Sequence, residues 1–102
     1  MTDPANVTNN VERHQYELPV DGQIAFAEYR EVGDAIMFTH TEVPQALEGR
    51  GIGSTLVRAA LDDVRAQGKK AIPMCPFVAA YIRDHREYVD LVHPIQRGVL
   101  GI

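Results

Sequence analysis

The chain begins with short alternating segments and then changes to longer helical ones. From Val11 to Leu18, Val, Tyr and Leu stand among charged residues, the pattern of an edge strand. Asp21-Gly22 follows, a strong hairpin-turn signal. Gln23 to Arg30 alternates, with Ile24 and Phe26 on one face and Ala25, Ala27 and Tyr29 on the other, which predicts a strand with substantial burial. A second turn at Gly33-Asp34 leads to a third strand, Ala35 to Val43, in which the period of two puts Ile36, Phe38 and His40 on one face. Pro44 ends it, because proline cannot donate to a ladder.

After a loop from Gln45 to Arg50 the period becomes helical. Ile52, Leu56, Val57, Ala60, Leu61 and Val64 form one stripe, and Arg58, Asp62, Asp63 and Arg65 face water. This predicts a helix over Gly51 to Gln67, with Gly68 just past its end. Ala71 to Cys75 reads as a short buried strand. Pro76 opens a helix over Phe77 to Asp84, and Glu87 to Val92 reads as a last short helix. Strand, helix, strand at these lengths implies a right-handed crossover between parallel strands. The expected class is α+β: a mixed sheet, an antiparallel meander followed by a parallel β-α-β unit, with packed helices.

With 102 residues the chain has material for one core. The expected division is a flexible start over residues 1–9, one domain over 10–93 and a tail over 94–102. The net charge of −4 comes with no basic block, which argues against nucleic acid as a partner. No apolar run approaches the roughly 20 residues that span a bilayer. Met1 to Asn10 is polar, and Cys75 is the only cysteine. These features predict a cytoplasmic protein without a membrane partner. The oligomeric state, monomer or weak dimer, is left open: the edge strand Val11–Leu18 could pair with another copy, but its charges discourage that.

The candidate chemistry begins at Glu48-Gly49-Arg50-Gly51-Ile52-Gly53-Ser54, between a strand and a helix. Glycines let the backbone approach a ligand closely, and the first helical N–H groups, at the positive end of the helix dipole, lack intrahelical partners. Together they make an anion site, and Arg50 adds a cation. The spacing is not the dinucleotide G-x-G-x-x-G, and no Gly-Lys-Ser/Thr of a P-loop is present. A glycine-rich helix entrance without a ligand is the competing reading.

Cys75 lies where a strand ends and a helix starts, a position that favours a thiolate. Ligands also bind beyond the carboxyl ends of parallel strands, which makes Cys75 and the glycine loop spatial neighbours. A free cysteine equally serves as a small buried hydrophobe. His40, on the strand adjacent to that of Cys75, is placed to act as its base, or is a hydrogen-bonded core residue. Tyr81 follows Cys75 by more than a helical turn and is placed to reach a cofactor thiol as an acid, or packs. His85, Arg86 and Tyr88 either line an adenine or cap the helix. The four histidines and Cys75 show no metal-ligand spacing, so no metal site is predicted.

Thr41-Glu42-Val43-Pro44, Glu48 to Gly53, Cys75-Pro76-Phe77-Val78 and His85-Arg86-Glu87-Tyr88 together resemble the short GCN5-related N-acetyltransferase-like proteins with a Cys-Pro-Phe motif. The resemblance spans about Val11 to Val92. The chain departs from the pattern at Glu48, where Gln or Arg is usual, and at Arg86, where proline usually follows the histidine. The resemblance implies a reduced acetyltransferase fold that binds acetyl-CoA or CoA between splayed strands. It implies pantetheine along Glu42 and Val43, and pyrophosphate on Gly49, Arg50, Gly51, Ile52, Gly53 and Ser54, entered through Glu48. Phe77, Tyr81 and His85 would complete the cofactor site. It places Cys75 near the thioester with His40 as partner, and implies an amine acceptor it does not name. Three readings follow: an acetyltransferase, a non-catalytic CoA-binding sensor or interaction module, and a cofactor-free structural domain.

Overall fold

The computed structural model describes residues 6–100 of the chain. Strands β1 (Thr8–Asn10), β2 (Gln15–Val20), β3 (Gln23–Val32) and β4 (Ala35–Glu42) form an antiparallel meander. Helix α1 (Ile52–Ala66) crosses over to β5 (Lys70–Pro73), which pairs parallel to β4. Helix α2 (Pro76–Asp84), a 3₁₀ segment (Arg86–Leu91) and α3 (Pro94–Leu100) complete the chain. The sheet order is β1-β2-β3-β4-β5, so the mixed-sheet α+β architecture is the one the patterning predicts.

The turns follow their sequences. Asp21 and Gly22 both take left-handed angles, φ 51° and 78°, in the two-residue turn whose twist suits a hairpin. All six apolar residues of the α1 stripe are buried. The helix ends in a Schellman arrangement: Lys69 N donates to the Val64 carbonyl and Gly68 N to that of Arg65.

The start of the domain differs from expectation. Val11 to His14 is a turn rather than strand, and the edge strand is Thr8–Asn10 before it. The Asn10 side chain accepts from the Arg13 N–H at 3.2 Å, and His14 N donates to the Val11 carbonyl, closing a tight reversal. The Val, Tyr and Leu of the expected strand therefore belong to two elements. At the other end Pro94–Leu100 is helical where a tail was expected. His93 N donates to the Ala71 carbonyl, and Val92 bridges Ala71, which ties this end to the outer edge of β5. Residues 1–5 and 101–102 of the expected flexible ends lie outside the described residues.

One core holds the molecule together, and it lies on one face of the sheet. Tyr16, Leu18, Ala25, Ala27, Tyr29, Ile36 and Phe38 pack against Leu56, Val57, Ala60, Leu61, Val64, Val78 and Ile82. Tyr16 Oη donates to Asp63 at 2.6 Å and fastens α1 to β2. Among the described residues no helix covers the other face across β2 and β3: Ile24 is 51% exposed there and Val32 46%. No helix among the described residues is long and apolar enough to cross a membrane.

Candidate functional site

The site begins where β4 outruns β5. Their pairing stops at Phe38↔Pro73, so the last four residues of β4, Thr39 to Glu42, have no strand on that side. A cleft of about 450 Å³ opens here. It is lined by the end of β4 (His40, Thr41, Glu42, Val43), the loop residues Leu47, Glu48 and Gly49, the start of α1 (Gly51, Ile52, Gly53, Ser54), and Phe77 of α2.

The three glycines do different work. Gly49 and Gly51 take φ 79° and 72°, and Gly51 is the N-cap of α1 in a left-handed conformation. The first residues of α1, whose N–H groups have no intrahelical partner, line the cleft, and the first turn carries no acidic residue. Gly53 has ordinary helical angles but no room. A Cβ there would lie 2.8 Å from Phe77 Cζ and 3.3 Å from Val43 Cγ2. Its missing side chain lets β4, α1 and α2 converge at the mouth of the cleft. The glycine loop and the Cys75 segment are therefore neighbours, as their positions after β4 and β5 predict.

A phosphate-bearing cofactor fits the backbone of this cradle, since a left-handed glycine corner and free helix N–H groups are an anion site. The side chains add little positive charge. Arg50 points to the β2–β3 turn and pairs with Asp21 at 2.8 Å, outside the cleft lining. Glu48, at the position of the usual Gln or Arg, lines the cleft itself.

His40 does not share the face of Ile36 and Phe38. The β3–β4 register runs Tyr29↔Phe38 and then Glu28↔His40, so Thr39 is an extra residue in a β-bulge. Past the bulge the faces exchange. Thr41 comes to the helix side, and His40 turns to the helix-free face, where its ring meets Phe26 edge-on with centroids 6.2 Å apart. Thr39 Oγ1 donates to Glu28 at 2.9 Å beside it.

Cys75 consequently faces Thr41. It is 4% exposed, and its thiol donates to Thr41 Oγ1 at 3.4 Å. Its backbone N–H donates to the Phe38 carbonyl at 2.9 Å. Thr41 lines the cleft and Cys75 lies behind it. Period counting could not find Thr41, because nothing in Thr39-His40-Thr41 marks which residue bulges.

Tyr81 and His85 stand apart from the cleft lining. Their rings stack at 3.9 Å and 12°, and His85 Nδ1 lies 2.9 Å from the Tyr81 carbonyl. Burial pushes the Tyr81 phenol up, against the pull of Arg58 on α1. Tyr88 donates to Asp62 at 2.7 Å; burial first, then that carboxylate, push its phenol up to about 12.

Residues 15–91 match the family model for GCN5-related N-acetyl-transferases. The mouse protein named NATD1 is 33% identical over 96 residues, spanning 89% of this chain and 87% of the relative. Its human counterpart is also 33% identical, spanning 89% and 85%. The NMR solution structure of a GCN5-like protein from Staphylococcus aureus shares the fold, with a TM-score of 0.67 at 24% identity over 85% of this chain and 86% of that one. The chain belongs to the GCN5-related N-acetyltransferase family.

Proposed function

We propose that the protein transfers an acetyl group from acetyl-CoA to an amine, directly rather than through Cys75. The observation that carries this reading is the cleft at the unpaired end of β4, closed by the left-handed glycine corner and the N-terminus of α1. When bound, acetyl-CoA supplies an acyl thioester open to attack by an amine. The N–H groups of Ile52, Gly53 and Ser54 would hold its pyrophosphate, and the backbone of Glu42 and Val43 would run beside its pantetheine arm. Phe77, packed against the helix start at Gly53, would lie beside that arm.

The burial of Cys75 behind Thr41 supports direct transfer, because a nucleophilic thiol needs access to the acyl carbon. Cys75 then acts as packing and as the donor that fixes the Thr41 rotamer. A lone thiol fits a reducing compartment, and we place the activity in the cytoplasm.

A second reading, a CoA-binding sensor or interaction module, is favoured by the helix-free sheet face, which leaves no wall to enclose an acceptor. The deciding experiment combines thermal shift with CoA and intact-mass spectrometry after mixing with acetyl-CoA and amines. Transfer requires a raised melting temperature, acetylated amine and no protein adduct. Cys75→Ala is expected to retain turnover within about threefold, and loss of all turnover together with an acetyl adduct on the wild type would establish the covalent route instead. Raised melting temperature without acetyl loss would support the module. No thermal response would remove the cofactor from the reading.

A further inference from the structure

We infer that the part of β3 that runs on past the start of β2 takes the C-terminal end of another protein chain as a short added strand, with the terminal carboxylate received by Arg13 and His14.

The tight turn before β2 leaves this edge open. β2 begins at Gln15, opposite Glu28, so Tyr29 to Val32 have β4 on one side and, among the described residues, no strand on the other. The Gly33-Asp34 turn sets Val32 against Ala35, and in a two-residue hairpin that pair exchanges both backbone bonds. Alternation then gives the N–H and C=O of Arg30 to β4 and turns those of Tyr29 and Glu31 outward. The Tyr29 N–H donates to the His14 carbonyl at 2.9 Å. His14 supplies no bond in return: it stands at φ 54°, and its own N–H donates back to the Val11 carbonyl at 3.3 Å. The Tyr29 carbonyl and both backbone groups of Glu31 are thus the rungs of an unfinished ladder.

A cavity of about 420 Å³ lies along this edge, lined by Arg13, His14, Glu28, Tyr29, Arg30 and Glu31. It shares no lining residue with the cleft at the glycine loop. Tyr29 is its fixed part. Its side chain is buried, its Oη donates to Asn9 at 2.7 Å, and its ring meets that of His14 edge-on with centroids 5.9 Å apart. The charges around it are unevenly engaged. Glu28 accepts from Thr39 on the β4 side, but among the described residues neither Arg13 nor Arg30 has an ion-pair or side-chain hydrogen-bond partner.

The sheet sets the direction of the added strand. Antiparallel to β3, it runs as β2 does, toward His14, which already forms the rung opposite Tyr29. A chain that continued would collide with the turn over residues 11–14. A chain that ends there does not, and its carboxylate meets the guanidinium of Arg13 and the imidazole of His14, groups suited to charge-assisted hydrogen bonds. Cross-strand pairing chooses the side chains. The last residue, opposite Arg30, is acidic. The one before it exchanges both backbone bonds with Glu31 and is basic. The one before that, opposite the half-exposed Val32, is apolar. A second copy of this edge is a poor occupant. The two-fold registers centred on Arg30 or Glu31 set like charges opposite each other, and one centred on Val32 would use the turn residues Gly33 and Asp34 as rungs.

The test uses the peptide acetyl-Ile-Val-Lys-Glu with a free C-terminus, titrated to several millimolar into the full chain and followed by amide NMR. The Glu31 amide is expected to shift and its hydrogen exchange to slow. Amidating the peptide's C-terminus, or reversing its last two residues, is expected to weaken binding at least about fivefold. Arg13→Gln should abolish the preference for the free carboxylate, and Arg30→Gln the preference for Glu over Gln as the last residue. Both side chains are exposed, so the two variants should keep the wild-type melting temperature. Silence of the Glu31 amide, equal binding of acid and amide peptides, or displacement of the peptide by CoA overturns the proposal.

Discussion

Single residues decide the shape of the cleft. At Gly53 the missing side chain matters more than backbone freedom, because a Cβ would stand only 2.8 Å from Phe77 Cζ. Gly53→Ala should push Phe77 off the start of α1, at a cost of about 1–3 kcal/mol for overpacking. The expected result is a lower urea midpoint and at least a tenfold loss of CoA affinity by calorimetry. Tyr88 carries a different prediction. Its phenol ordinarily titrates near 10.0 and is held up to about 12 by burial and by Asp62. The folded state thus keeps a proton that the unfolded state loses. The stability this contributes is complete below pH 10 and disappears as pH rises through about 12. Tyr88→Phe has no such proton, so its melting temperature should fall less steeply than that of the wild type between those values. Tyr16, pushed far higher by burial and Asp63, contributes a parallel loss that both proteins share.

Elements were legible in the sequence wherever one face is buried. The α1 stripe is continuous because the helix lies on the sheet along its whole length, and every apolar position in it is buried. The alternation in β3 separates Ala25, Ala27 and Tyr29 from Ile24 and Phe26 for the same reason. The elements went astray where a side chain or an extra residue overrides the period. Asn10 caps a reversal inside what reads as one strand, and Thr39 shifts β4 by one, which carried His40 to the wrong face in the reading by period. The glycine loop was legible, but the direction of Arg50 was not, since its partner Asp21 is 29 residues away. The 3₁₀ segment is another element held by distant side chains. Arg65 donates to both oxygens of Asp90, at 2.8 and 3.1 Å, and to the Glu87 carbonyl at 2.8 Å. These groups are exposed, so Arg65→Ala should cost only about 0.5–1 kcal/mol globally. Its larger effect should be local: faster amide hydrogen exchange over residues 86–91, with α1 protection unchanged.

At the scale of the whole molecule the sheet is one-sided across β2 and β3, and this governs both stability and function. Among the described residues all large, fully buried side chains belong to a single cluster on the helix side. The other side presents Ile24 and Val32 to solvent, and it gives His40 an open approach. Neighbouring residues of β3 should therefore respond in opposite ways. Ala25 is fully buried on the helix side and paired across the sheet with Leu18. Ala25→Val should cost about 1–3 kcal/mol through overpacking. Ile24 is half exposed beside Pro19, and Ile24→Thr should change stability by no more than about 0.5 kcal/mol. Urea titrations of the two variants beside the wild type measure the asymmetry directly. If Ile24→Thr proved as costly as Ala25→Val, the helix-free face would have to be covered in solution. A cover there would reach the strands that carry Phe26 and His40, and it would close the approach to the cleft edge from that side.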